Sequence, residues 1–89
     1  MAIPVIVYNH ARFDPFDTHN VLANLVSVSS ENACLCECYS NSMCLTATYF
    51  AIGETCSLYS APLSEGQLRV VPTSANTKVY NFENMSVAG

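Results

Sequence analysis

Residues 31–50 read ENACLCECYSNSMCLTATYF, and the placing of Cys34, Cys36, Cys38 and Cys44 within them decides what the chain can build. Ser29 and Ser30 stand immediately ahead and offer an N-cap, with Glu31 in the first turn to complement the helix dipole. The spacing predicts a short helix over about residues 30–40, with Asn41 a reasonable terminator. On that helix Cys34 and Cys38 share a face, whereas Cys36 points about 200° away, since each residue turns about 100°. A zinc site needs ligands converging from two knuckles or Cys/His pairs, and this arrangement separates them. No pair among these cysteines has the C-x-x-C spacing of a redox motif. Nucleophilic catalysis would need a histidine beside a thiol, and His10 and His19 both fall in the N-terminal polar stretch, away from Cys36 in sequence.

A disulfide framework accounts for more of the pattern. LTATYFAI (45–52) alternates and is rich in Thr, Tyr, Phe and Ile, the marks of a strand; IGET turns the chain, and TCSLYS (55–60) returns as the hairpin partner. Cys44 heads the first of these strands and lies within reach of Cys38 around the YSNSM turn, while Cys56 on the second can face Cys34. Two staples, Cys34–Cys56 and Cys38–Cys44, then pin the helix to the sheet. Such support suits 89 residues, a length at which a hydrophobic core alone gives marginal stability. Five cysteines in so short a chain point to an oxidising, secreted or extracellular setting.

The remaining elements follow by composition. IPVIVY (3–8) is β-branched and aromatic, and Pro4 confines it to a sheet edge or a strand start. NHARFDPFDTHN (9–20) reads as a loop, VLANLVSV (21–28) as a strand, APLSEG as a loop, QLRVV (67–71) as a strand ended by Pro72, and TKVYNF (77–82) as the last strand. The expected architecture is α+β: one short helix on a mainly antiparallel sheet of about five strands, stapled by disulfides.

The run S-S-E-N-A-C-x3-C-x5-C-L-T-A-T-Y-F, followed by Cys56-Ser-Leu-Tyr-Ser and the closing Thr77-Lys78-Val79-Tyr80-Asn81-Phe82, resembles the PAN/apple domain over residues 21–82. The resemblance implies a helix tied by two disulfides to a curved antiparallel sheet, with Cys56 pairing with the first helical cysteine. It also implies a module without catalytic activity or cofactor that mediates protein–protein or protein–carbohydrate contacts. A third bridge between terminal strands, found in the apple subgroup, has no counterpart here, so the chain is closer to the short PAN form with two core bridges. Cys36 is outside the four-cysteine pattern and is either a sheltered free thiol or a cross-link to another chain.

Charge excludes two partner classes. Arg12, Arg69 and Lys78 face seven acidic residues for a net charge of −4, so nucleic acid and anionic membranes lose their main source of attraction. No run approaches the roughly 18 apolar residues of a membrane span. MAIPVIVYNH lacks the basic flank and small-residue cleavage pattern of a signal peptide, so a secreted form is expected to be processed or a fragment. Charged residues make up only 11% and hydrophobic ones 51%, and mean hydropathy is positive. An ordinary soluble domain carries about 25% charge, so glycans or neighbouring chains are expected to cover part of the surface.

Three further features have alternative readings. Residues 1–20 are either the first strand and loop of the same sheet or an arm that adds Ile3, Val5, Ile6, Val7 and Tyr8 to a neighbouring copy. HARFDPFDTH places His10, Asp14, Asp17 and His19 together, as a divalent-ion loop or as a solvated loop with Asx turns. The five tyrosines build either a sugar-binding face or core and edge packing. Asn84-Met85-Ser86, in the 83–89 tail, is a glycosylation sequon. The functional expectation is a self-assembling structural subunit of an extracellular filament or matrix, whose partners are copies of itself. The alternative is a monomeric adhesion or carbohydrate-binding module from a larger secreted protein.

Overall fold

The computed structural model describes residues 5–82. In chain order the strands are β1 (Ile6–Asn9), β2 (Ala11–Pro15), β3 (Val21–Leu25), β4 (Thr46–Phe50), β5 (Thr55–Tyr59), β6 (Gly66–Val70) and β7 (Thr77–Asn81), with helix α1 (Glu31–Ser40) between β3 and β4. Five strands form one antiparallel sheet in the order β1-β7-β4-β5-β3, and β2 pairs with β6 in a separate two-stranded ribbon. The α+β architecture with a helix, a five-stranded sheet and two disulfides is as expected. The expected loop over 9–20 is not: Ala11–Pro15 is a strand, paired from Ala11↔Val70 to Pro15↔Gly66. The strand expected over 21–28 also ends early, at Leu25.

The alternation of side chains sorts the sheet into two covered faces. Ala47 and Tyr49 of β4, Cys56 and Leu58 of β5, and Tyr80 of β7 form one cluster with Cys34, Cys38 and Cys44 under the helix. Val79 and Tyr59 face the other way and pack with Ala11 and Phe13 of the ribbon, Phe13 meeting Tyr59 edge-to-face at 5.2 Å. Burial on both faces explains why Thr46 and Thr48, the polar members of the alternating pattern, are fully enclosed. Thr46 answers the desolvation by donating its hydroxyl to the Ala61 carbonyl at 2.8 Å.

His10 is the single residue between β1 and β2, and its φ of 57° lets the chain leave the large sheet for the ribbon in one step. A non-glycine residue in that region costs about 1–2 kcal/mol. His10 N donates to Thr77 O at 2.8 Å and its carbonyl accepts from Val71 N at 2.9 Å, so both backbone groups are held. In the β4–β5 turn the left-handed residue is Glu54 (φ 52°), not the neighbouring glycine. Gly66 has a different duty: a Cβ there would overlap the Phe13 ring and stand 2.7 Å from the Asp14 carbonyl, so only glycine lets the ribbon strands close.

Helix α1 has ten residues and buries only Cys34 and Cys38. A helix that short is marginal by itself, and two small buried side chains give it little hydrophobic hold. Ser30 Oγ caps it by accepting from Ala33 N at 3.1 Å. The lasting attachment is covalent: Cys34–Cys56 and Cys38–Cys44 are both bridged, with Cα separations of 5.6 and 5.3 Å, and all four cysteines are fully buried.

The bridges span 22 and six residues. In the chain-entropy account the longer loop is worth about 3 kcal/mol and the shorter about 2. Cys34→Ala/Cys56→Ala is therefore expected to lose roughly 1 kcal/mol more stability than Cys38→Ala/Cys44→Ala. Urea unfolding of the two double variants checks this ranking, and equal losses would contradict it.

Candidate functional site

An open groove of about 420 Å³ runs between the C-terminal half of α1 and strands β3 and β5. Its floor is Ala23, Leu25 and Leu58; its rim is Glu37 and Ser40 from the helix with Asn41 and Ser42 just beyond it. Apolar floor and hydroxyl and amide rim make a surface that can hold a ligand by contact and hydrogen bonding. Its one ionisable side chain is the Glu37 carboxylate, beside the Ser40 and Ser42 hydroxyls. Among the described residues no hydrogen bond links Cys36 to either histidine, and His19 Nδ1 is instead 2.9 Å from Asp17 Oδ1.

An ionisable cluster lies at the other end of the helix. Glu31 accepts from Lys78 Nζ at 3.0 Å and from the Tyr80 hydroxyl, clamping the first turn of α1 to β7. The Tyr80 bond, then the Lys78 bond, hold the Glu31 carboxyl below its ordinary value of 4.5, against a smaller opposing effect of burial. Burial, then the bond to Glu31, push the Tyr80 phenol well above its usual 10. Nearby, the Tyr49 hydroxyl donates to Val28 O at 2.9 Å, fixing the chain before the helix. This cluster ties the helix to the sheet, with Tyr80 buried and Glu31 and Lys78 partly exposed.

The sequence-derived candidates are distributed as follows. Cys34, Cys56, Cys38 and Cys44 are brought together in the core, and Cys36 is an exposed free thiol on the opposite side of the helix. Ile6, Val7 and Tyr8 lie in β1, which pairs with β7 of its own chain, and Val5 packs against the core; this is the arrangement of an ordinary first strand, and no long loop separates it from the domain. Ile3 and Asn84 lie outside the described residues. Tyr49, Tyr59 and Tyr80 are buried, whereas Tyr39 is partly exposed and packs edge-on against Phe82, so the tyrosines do not form one face. His10 and Asp14 belong to the sheet switch and the ribbon, while Asp17 caps a short 3-10 turn by accepting from His19 N, which lowers its carboxyl. No three metal-ligating side chains gather among the described residues. The sequence reading missed Arg12 and Arg69, which the ribbon places directly opposite each other.

Residues 8–87 match the family model of the PAN domain, and the chain belongs to that family. No curated protein sequence gives a significant match. PAN domains are in general non-catalytic modules that bind proteins or carbohydrates, and a disulfide-linked PAN domain is typical of extracellular proteins. Among the described residues no helix is long and apolar enough to cross a membrane.

Two outcomes follow from these placements. Because the carboxyl of Glu31 is lowered on folding, its contribution is present above pH 4.5 and is lost as pH falls through the folded value. Glu31→Gln should be less stable than the parent near neutrality and should lose less on acidification, as followed by urea midpoints across the acid range. Cys36 should take up one iodoacetamide per native chain, the other four cysteines reacting only after reduction and unfolding. A native chain that takes up none, and runs as a dimer without reductant, would instead reveal an interchain bridge.

Proposed function

We propose that the chain is a non-catalytic extracellular module that associates with copies of itself along its sheet edges, as the structural subunit of a filament or matrix. The observation that carries this reading is the edge strand β1. It contains no charged residue and no proline, and it exposes Ile6 and Val7 to 46% and 45%. Soluble proteins ordinarily protect such an edge with Lys, Pro or a covering element, because its unpaired backbone groups accept another strand. The opposite edge, β3, is equally free of charge. Further exposed apolar side chains, Phe16, Val26, Ile52 and Val70, agree with a surface that is covered in assembly.

Strand direction shapes the contact. All four pairings in the five-stranded sheet are antiparallel, so β1 and β3 run the same way. Simple translation would then set a parallel pair between neighbours, whereas a two-fold axis gives an antiparallel β1–β1 ladder. Alternating β1–β1 and β3–β3 contacts extend this into a polymer. Within this reading Cys36 is a candidate cross-link and Asn84 a candidate glycan acceptor.

A second reading, a monomeric adhesion or carbohydrate-binding module, is favoured by the groove under the helix. Light scattering coupled to size exclusion separates the two. The parent chain should show a mass rising with concentration, and Val7→Lys, which charges the edge without opening the core, should remain a monomer with an unchanged circular dichroism spectrum. A parent that stays monomeric up to about 200 µM would overturn self-association.

A further inference from the structure

We propose that the outer face of the β2–β6 ribbon binds the sulfate or carboxylate group of an acidic saccharide through Arg12 and Arg69. The assignment rests on reading the chain as a binding module and not on how its copies associate. Two of the three basic residues of the chain occupy this one cross-strand pair, Arg12↔Arg69. Like charges directly opposite in a ladder destabilise it. Asp14, two positions along β2 on the same face, relieves the repulsion through Oδ2, which accepts from Arg12 Nη2 at 3.5 Å and forms an ion pair with Arg69 Nε. One carboxylate against two cations leaves a local charge of +1 on a chain of net −4.

The arginines are also positioned to receive a ligand. Their side chains are 49% and 53% exposed, with Asp14 between them at 37%. A guanidinium has five N–H donors in a planar fork suited to a carboxylate or sulfate, and Asp14 engages only a part of them. Gln67, directly opposite Asp14, is exposed beside the pair and offers an amide to sugar hydroxyls. The reverse face of the ribbon is anchored by buried Ala11 and Phe13, and Gly66 holds the two strands close, so the forks stand on a rigid base. A single positive charge in an acidic surface suits one anionic group on an otherwise neutral sugar. It suits poorly a nucleic acid, which needs several phosphate contacts, or a run of carboxylates in a peptide.

Arginine Nε–H signals in the 15N-labelled chain read this directly. Monosulfated N-acetylgalactosamine, glucuronic acid, uncharged N-acetylgalactosamine and a hexa-aspartate peptide serve as the four probes. Arg12 and Arg69 are expected to shift saturably with the sulfated sugar, the uronic acid or both, and not with the uncharged sugar; which of the first two binds tighter names the source of the anion. Arg69→Gln and Arg12→Gln should each weaken binding about tenfold or more, the loss expected for one charge-assisted contact. Asp14→Asn should tighten it several-fold by removing the competing carboxylate, an effect that a purely structural Asp14 would not produce. The proposal is overturned by no saturable shift from either acidic sugar, by an unchanged response in Arg69→Gln, or by tighter binding of the peptide. Chain mass by light scattering is a separate readout, so failure here leaves self-association standing or falling by itself.

Discussion

The bridge between Cys34 and Cys56 is the constraint on which the rest depends. It joins the middle of the helix to the second strand of the central hairpin, and both sulfurs lie in the fully enclosed layer between them. A ten-residue helix with two buried side chains has neither the length nor the apolar stripe to dock by hydrophobic burial alone. Cross-linking removes from the unfolded chain much of the freedom that docking would otherwise have to overcome. Once the helix is fixed, Ala47, Tyr49, Leu58, Tyr80 and Phe82 have a lid and can form a core. Cys38–Cys44 and the Glu31–Lys78–Tyr80 clamp then fix the two ends of the same helix.

The covered sheet divides the molecule into a structural centre and functional margins. β4 is buried along its length because the helix covers one face and the ribbon reaches the other. Residues so enclosed have no surface to offer a ligand. What remains available is the periphery: the outer strands β1 and β3, the groove beside the helix, and the outward face of the ribbon. Each presents a different chemistry, respectively unpaired backbone, mixed apolar and amide contact, and paired guanidinium groups. A small domain of this kind can therefore carry more than one contact without altering its core.

Much of the centre was legible from local pattern. The serine cap, the four-residue spacing of Cys34 and Cys38, and the alternating TATYF strand all act over a few neighbouring residues, where periodicity is a dependable guide. The ribbon was not legible. ARFDP carries Asp and Pro, which are poor strand formers, and reads as loop until its distant partner GQLRV lies alongside it. Its membership in a sheet is a non-local property, and so is the juxtaposition of Arg12 with Arg69, which are far apart in the chain. The same limit applied to Glu54, whose left-handed backbone sits beside the glycine that composition would choose for the turn.

By itself the sequence determined the class of fold, the two staples and the isolation of Cys36, because helical and strand periodicity assign faces before any long-range contact forms. The tertiary structure decided the order of strands, and with it which strands are edges. It showed β1 pairing with β7 of the same chain and leading through a single left-handed residue, His10, into β2, where the sequence allowed an independent arm. It also gathered two of three scattered cations onto one face of a ribbon that local propensity did not announce. The physical reason is the same in each case: side-chain direction is set by neighbours along the chain, whereas strand pairing is set by which distant segments bury the most surface together.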